Sequence, residues 1–351
     1  SNSANNAYGY WIKENDGSSI NISSNITTSG TNAHGIYSES SDVNTFTVNG
    51  NITSSGTGAY AINNDANSAG NTFALGGVVS GGMLNAGTNT VITNTGSIDA
   101  ITNSGTLTTL TNTGTLNALD NSGTLTTFNN DGAVSYSGTL PVNYNLIINS
   151  GSDYGRATFS NVSGTMAFGI DITNSSGSSL NGYFADIFSG INTTDDLASL
   201  TGNNGNYYWG ITTDLGLNIS YVGNQTINTD ISNSANNAYG YWIKENDGSS
   251  INISSNITTT GTNAHGIYSE SSDTNTFTVN GNITTNGAGA YAINNDANSA
   301  DNTFTLGGVV SGGILNAGTN TVITNTGSID AITNSGTLTT LTNTGTLTTL
   351  T

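Results

Sequence analysis

The chain has 351 residues, a formal net charge of −19 and only three basic residues, Lys13, Arg156 and Lys244. Three cations cannot build the basic surface that displaces counterions from nucleic acid. With no cysteine, thiolate zinc sites, redox CxxC pairs and disulfide scaffolds are excluded as well. No apolar run approaches the ~20 residues of a membrane helix, and no stretch reads as a signal peptide. Asn, Thr, Ser and Gly supply the bulk, while Leu, Ile, Val and Phe make up roughly a fifth, close to the level of chains that stay disordered. Periodicity decides against disorder.

From Asn6, three stretches run in register at a step of 26 residues, with one extra residue in the third loop. They start at Asn6 (NAYGYWIKENDGSSINISSNITTSGT), Asn32 (NAHGIYSESSDVNTFTVNGNITSSGT) and Gly58, the step being 32 − 6 = 26. Ile20–Ile22, Phe46–Val48 and Phe73–Leu75 superimpose, as do Ile26, Ile52 and Val79. Apolar and polar residues alternate within each, which predicts strands. Asn, Asp, Ser and Gly between them predict turns.

Nonapeptides follow: NTGSIDAIT, NSGTLTTLT, NTGTLNALD, NSGTLTTFN and NDGAVSYSG start at Asn94, Asn103, Asn112, Asn121 and Asn130. Each opens with Asn and has Gly third. Position five is Ile98, Leu107, Leu116, Leu125 or Val134, and position eight is Ile101, Leu110, Leu119 or Phe128 before the pattern breaks at Ser137. Such periods are too short for helix pairs and too rich in Gly and β-branched residues for helix. They predict a parallel β-solenoid whose coils stack at ~4.8 Å, with inward Leu and Ile ladders, an Asn ladder at a corner, and Gly supplying positive φ there. Either three nonapeptides or two would complete a coil.

From about Leu140 to Gly223 the repeats stop. PVNYNLIINSGSDYGRATFSNVSGTMAFGIDI, SSLNGYFADIFSGI and NYYWGITTDLGLNISYVG read as strands, and Tyr144, Tyr154, Tyr183, Phe184, Phe188, Tyr207, Tyr208, Trp209 and Tyr221 gather there. A sandwich-like module and an irregular continuation of the solenoid are both compatible. At Ser232 the opening segment SNSANNAYGYWIKENDGSS returns, an offset of 232 − 1 = 231, and about nine positions in ten then agree to Thr351. The pattern stops inside NTGTLTTLT, as expected of a piece of a longer tandem array. These periods divide the chain into a 26-residue-coil solenoid (1–89), a nonapeptide solenoid (90–139), an aromatic-rich β module (140–223), a second 26-residue-coil solenoid (224–320) and a second, truncated nonapeptide solenoid (321–351).

AHGIY at Ala33–Tyr37, the run ITNSGTLTTLTNTGTL, and LPVNYNLIINSGSDYG with SGTMAFGI resemble the passenger regions of bacterial autotransporters and related large surface adhesins. The resemblance covers nearly the whole sequence. It implies a right-handed parallel β-helix exported across both membranes of a Gram-negative cell, either anchored at the outer membrane or released as a fibre.

Candidate sites are few. A lyase wants a base beside acids or metal ligands, and Arg156 and Lys13 stand apart in sequence. A glycosidase wants paired carboxylates; Asp195–Asp196 is the one adjacent pair, and solvated loop acids explain it more simply. His34 and its copy His265 fall in register with Tyr8 and Tyr60, which predicts an aromatic stack rather than a ligand. The loops at Glu14, Asn63 and Asn129 offer oxygens for loosely held calcium, although the nonapeptides lack the Asp of calcium-binding repeats. Thr106–Leu107–Thr108 and Thr124–Leu125–Thr126 suggest a Thr array, interrupted by Asp99 and Asn117.

Trp11 and Tyr37, repeated as Trp242 and Tyr268, occupy one register on successive coils with parity opposite to Tyr10 and Ile36. If Ile36 points inward, they form a surface contact ridge. No catalytic residue, resident metal or cofactor is expected. The expected role is a structural extracellular stalk or fibre for attachment or cell–cell contact. Its expected partners are other copies of the chain, neighbouring cells or surfaces, and glycans. A self-assembling surface filament or matrix, or a glycan-binding (less readily glycan-cleaving) β-helix, is the alternative.

Overall fold

The computed structural model describes residues 1–173 and 180–351. The strand expected over SSLNGYFADIFSGI begins with two residues that lie outside this set. Among the described residues the chain is all β, without an α-helix, and most strands pair in parallel, as in a β-helix. It divides into two compact units: Ser1–Asn149 with Asp153–Ile172 and Phe188–Ser199, and Ser150–Ser152 with Thr173–Ile187 and Leu200–Thr351.

The first unit opens with three-strand coils. Ile36–Glu39, Thr45–Val48 and Ile52–Ser54 make one coil. It pairs in parallel with the coil before it, Tyr10 opposite Ile36, an offset of 36 − 10 = 26. Ile36, Phe46, Val48 and Ile52 point inward and are fully buried. Phe46 stacks on Phe73 one coil on, with ring centroids 4.6 Å apart. Each such buried side chain contributes roughly 1.5–3 kcal/mol, so a thin core suffices because every coil shares its neighbours' burial. Gly35 of the AHGIY segment marks a close approach. A Cβ there would meet the Ile52 side chain at 2.4 Å and the Ala61 carbonyl oxygen at 2.5 Å.

The nonapeptides close a coil in pairs. Thr106–Asn112 pairs with Thr124–Asn130, Thr106 opposite Thr124, an offset of 124 − 106 = 18. The three-per-coil option is thereby ruled out. The physical reason lies at the transition. Val78–Ser80 and Met83–Asn85 belong to two different sides of the last wide coil, yet both pair with the single strand Ser97–Asn103. Two sides fuse into one, and the corner at Gly81–Gly82 disappears. The fusion leaves a trace in the strand itself: Thr108 and Thr109 face outward in succession, between buried Leu107 and Leu110.

The Asn ladder is present and buried. Asn85 Nδ2 donates to Asn103 Oδ1 (2.8 Å), and Asn103 Nδ2 to Asn121 Oδ1 (2.7 Å). The second row runs Asn94 to Asn112 (2.7 Å) to Asn130 (3.0 Å). The rows end on hydroxyls: Asn121 Nδ2 donates to Tyr136 Oη and Asn130 Nδ2 to Tyr144 Oη, both at 3.0 Å. The expected role of the nonapeptide glycines needs correction. Gly96, Gly105, Gly114 and Gly123 are not among the positive-φ residues. A Cβ on any of them would lie 2.1–2.2 Å from a carbonyl oxygen of the coil before, so closeness, not handedness, selects glycine. The break at Ser137 is also explained. The strand Ala133–Thr139 pairs Tyr136 with Leu119, so one residue instead of two separates its inward positions Val134 and Tyr136, and Tyr136 takes the inward place.

The segment left open between sandwich and solenoid is in part a continuation of the solenoid and in part a single antiparallel sheet. Asn143–Ile147, Arg156–Ser163, Ala167–Asp171 and Phe188–Ser189 extend the parallel sheets of the first unit. Their core is aromatic, with Tyr144, Phe159 and Phe168 each within 5.2–5.5 Å of Phe188, centroid to centroid. The second unit instead carries a four-stranded antiparallel sheet. Its order is Gly182–Phe184, Leu217–Tyr221, Tyr207–Ile211, Thr201–Asn204. A second solenoid follows in that unit with the same registers, Tyr241 opposite Ile267 and Phe277 opposite Phe304.

Candidate functional site: the aromatic ridge and its copy

Ile36 does point inward, and Trp11 and Tyr37 pair on the outer face of the strands Tyr10–Lys13 and Ile36–Glu39. The ridge is wider than the periodicity implied. Tyr8, His34 and Tyr60 stack along the adjoining corner at 5.7 and 6.1 Å, as the 26-residue register predicts. Tyr8 reaches across to Tyr37 at 4.8 Å and to Trp11 at 5.7 Å.

His34 is held neutral by geometry. Its Nδ1 accepts the Tyr60 N–H at 2.9 Å, so the ring proton sits on Nε2. The Asn63 amide lies 3.0 Å from Nε2. Presenting Oδ1 to that proton also pairs an Asn63 oxygen that is buried and otherwise unbonded. Burial lowers the His34 pKa, and lowers that of His265 to about 4. His265 makes the same two contacts, with the Tyr291 N–H and Asn294.

Two charged residues complete the site that the sequence reading missed. Trp11 Nε1 donates to Glu39 Oε2 at 2.9 Å, and Lys13 Nζ sits 3.0 Å from Glu39 Oε1 and 5.7 Å from the centre of the Trp11 ring. Glu39 therefore orients the indole while Lys13 balances its charge. The signal was available: Trp11 and Lys13 share a strand parity, and Glu39 faces Lys13 one coil on. The copy repeats the triad. Trp242 Nε1 donates to Glu270 Oε2 at 2.9 Å, and Lys244 Nζ donates to Glu270 Oε1.

The two copies differ in cover. Trp11 is 54% exposed, whereas Trp242 is 4% exposed. In the second unit the antiparallel sheet lies over the copy. A Cβ on Gly210 would approach the Trp242 ring to 3.4 Å. Lys244 N–H donates to Ser220 Oγ at 2.9 Å, and Asn218 Nδ2 to the Asn237 carbonyl at 2.8 Å.

The remaining candidates are dispersed. Asp195 and Asp196 bond within their own loop, accepting from Asn192 Nδ2 (2.8 Å) and Asn192 N–H (2.7 Å). Arg156 lies over the Tyr154 ring at 4.2 Å. Oxygens of the three calcium-candidate loops serve neighbouring coils: Asp16 Oδ1 accepts from Asp42 N–H, Asp65 Oδ1 from Ser40 N–H, and Asn129 Oδ1 from Asn145 Nδ2. Among the described residues no three His, Asp or Glu side chains gather as a metal site would require. In the Thr array, Thr106 lies opposite Thr124 and Leu107 opposite Leu125 on successive coils. No helix is long and apolar enough to cross a membrane among the described residues. Comparison with protein-family models, with curated proteins and with solved structures finds no match.

Proposed function

We propose that this chain is a structural segment of a bacterial surface fibre or stalk that mediates attachment or cell–cell contact. The observation that carries the reading is the stacking itself. Within each unit successive coils pair through parallel strands, and in the nonapeptide coils a buried Asn row ties them from inside. Such a stack gains about 4.8 Å per coil at little apolar cost, and tandem copies extend it further. Reach of this kind, combined with weak contacts repeated along the surface, gives adhesion by multivalency. The acidic composition keeps neighbouring segments soluble and apart. Loosely bound calcium between acidic surfaces and assembly with other copies both fit this reading.

The chain displayed on a non-adherent bacterium should increase attachment or clumping at matched surface density. Unchanged attachment and clumping would sink the proposal, and sugar release from polysaccharides by the purified chain would replace it with an enzymatic one. The alternative of a glycan-binding surface is favoured by one observation, the oriented indole of Trp11 beside the Glu39 carboxylate.

A further inference from the structure

The triad and the antiparallel sheet of the second unit line an open cavity of about 280 Å³. That is roughly nine water volumes, room for one sugar ring but not for a chain of them. One wall is the sheet, with Gly210, Ile211 and Thr213; the other is the solenoid, with Tyr239, Trp242 and the Lys244–Glu270 pair. We propose that this cavity binds a single uncharged pyranose, a neutral hexose or N-acetylhexosamine unit. The proposal is independent of the fibre reading, since a stalk with an empty cavity would still be a stalk.

Three features carry it. First, the largely buried Trp242 and Ile211 are among the lining residues and give the cavity an apolar side for the C–H face of a pyranose. Gly210 lines it, and since a Cβ there would already touch Trp242 Cη2 at 3.4 Å, a longer side chain would fill it. Second, the polar groups are fixed before any ligand arrives. Glu270 is held by Trp242 Nε1 and by Lys244, and retains acceptor capacity for a sugar hydroxyl. Lys244 keeps two further donors. The Tyr239 ring stacks on His265 at 5.8 Å, yet its hydroxyl bonds to no other group among the described residues. Burial and the nearby Glu270 push its pKa up to about 12, so it stays a neutral donor. Third, the charges select the ligand. Glu270 and Lys244 cancel, so neither an anion nor a cation is favoured locally, and a net charge of −19 disfavours acidic sugars. The same triad at Trp11, Lys13 and Glu39 has no sheet over it in this sequence, and its indole is 54% exposed.

The test is titration of the whole chain with methyl glucoside, methyl galactoside, N-acetylglucosamine and glucuronate, read by calorimetry and by saturation-transfer NMR. At least one neutral sugar should bind saturably and more tightly than glucuronate. Tyr239→Phe, which removes only the hydroxyl, should weaken that binding about three- to tenfold. Gly210→Leu should abolish it, while Trp11→Ala leaves it unchanged. Thermal unfolding of each variant shows whether the fold is kept; if Gly210→Leu does not fold, Tyr239→Phe decides. No saturable binding by any of the neutral sugars, or binding that Tyr239→Phe leaves intact, overturns the proposal.

Discussion

The segments Tyr10–Lys13 and Tyr241–Lys244 have the same sequence, YWIK, and the same strand register, yet they live in different surroundings. Tyr10 is 38% exposed and Tyr241 is 0% exposed. The ion pair, the indole–carboxylate bond and the stacked histidine survive unchanged in both. What changes is cover, supplied in the second unit by the antiparallel sheet, whereas only nine residues of this sequence precede Tyr10. Local sequence therefore sets geometry within a coil, and the element lying on that coil sets its energetics.

The comparison breaks most visibly at tryptophan. Trp242→Ala should destabilise the second unit by about 3–5 kcal/mol, since it empties a packed site. Trp11→Ala should cost under about 1 kcal/mol, because its indole is half in water and its bond to Glu39 is exposed. Denaturant unfolding of the two variants measures both, and equal losses would mean that cover is not the deciding variable.

A second contrast is in pH. His265 titrates at about 4 when folded, against about 6.5 unfolded, because burial disfavours its charged form. The groups around it, Tyr239, Tyr268, Tyr291 and Asn294, are neutral, with Glu270 beyond Tyr268. A depressed folded pKa gives stability that is present above pH 6.5 and lost as pH falls towards 4, because the unfolded chain takes up the proton first. The loss should be on the order of 2 kcal/mol for His265. His34 is shifted the same way but not as far, so the first unit should lose less. His265→Tyr, which places in this rung the residue of the rungs on either side, should flatten the acid limb of the stability curve for the second unit alone.

Tyrosine offers a smaller effect of opposite sign. The Tyr241 hydroxyl is buried and finds no partner among the described residues. Tyr241→Phe should therefore stabilise by about 1 kcal/mol, whereas Tyr10→Phe should change little. Smallest of all, and equal in the two units, should be the corner column. Val43 and Thr274 hold φ at 56° and 58°, a region β-branched residues avoid, where Gly17 and Gly248 stand one coil earlier. Val43→Gly and Thr274→Gly should each stabilise by up to about 1 kcal/mol in urea unfolding, the chain-entropy cost of glycine offsetting part of the relief. A difference between these two would show that cover reaches even an outer corner.

Much of this was legible in the sequence. Inward positions such as Ile36, Phe46, Leu107 and Leu110 follow from periods of two and nine, and the Tyr8–His34–Tyr60 stack follows from the 26-residue register. The number of nonapeptides per coil was not legible, because three of them match a wide coil almost as well in length. Only the pairing of both Val78–Ser80 and Met83–Asn85 with Ser97–Asn103 decides it. The burial of Trp242 was hidden for a different reason. Periodicity treats identical copies alike, and the sheet that separates them belongs to the non-repeating segment. The Lys–Glu–Trp triad required knowing which residues one coil apart face each other.

The pairing of nonapeptides imposes a rule on how such a chain can change length. Adding or deleting 18 residues leaves every following strand on its own side of the stack, with both Asn rows still reaching Tyr136 and Tyr144. A change of nine residues would send each later strand to the opposite side and set Ala133–Thr139 above the wrong neighbours. Descendants of this sequence should therefore differ by even numbers of nonapeptides, with each pair lengthening the stack by about 4.8 Å.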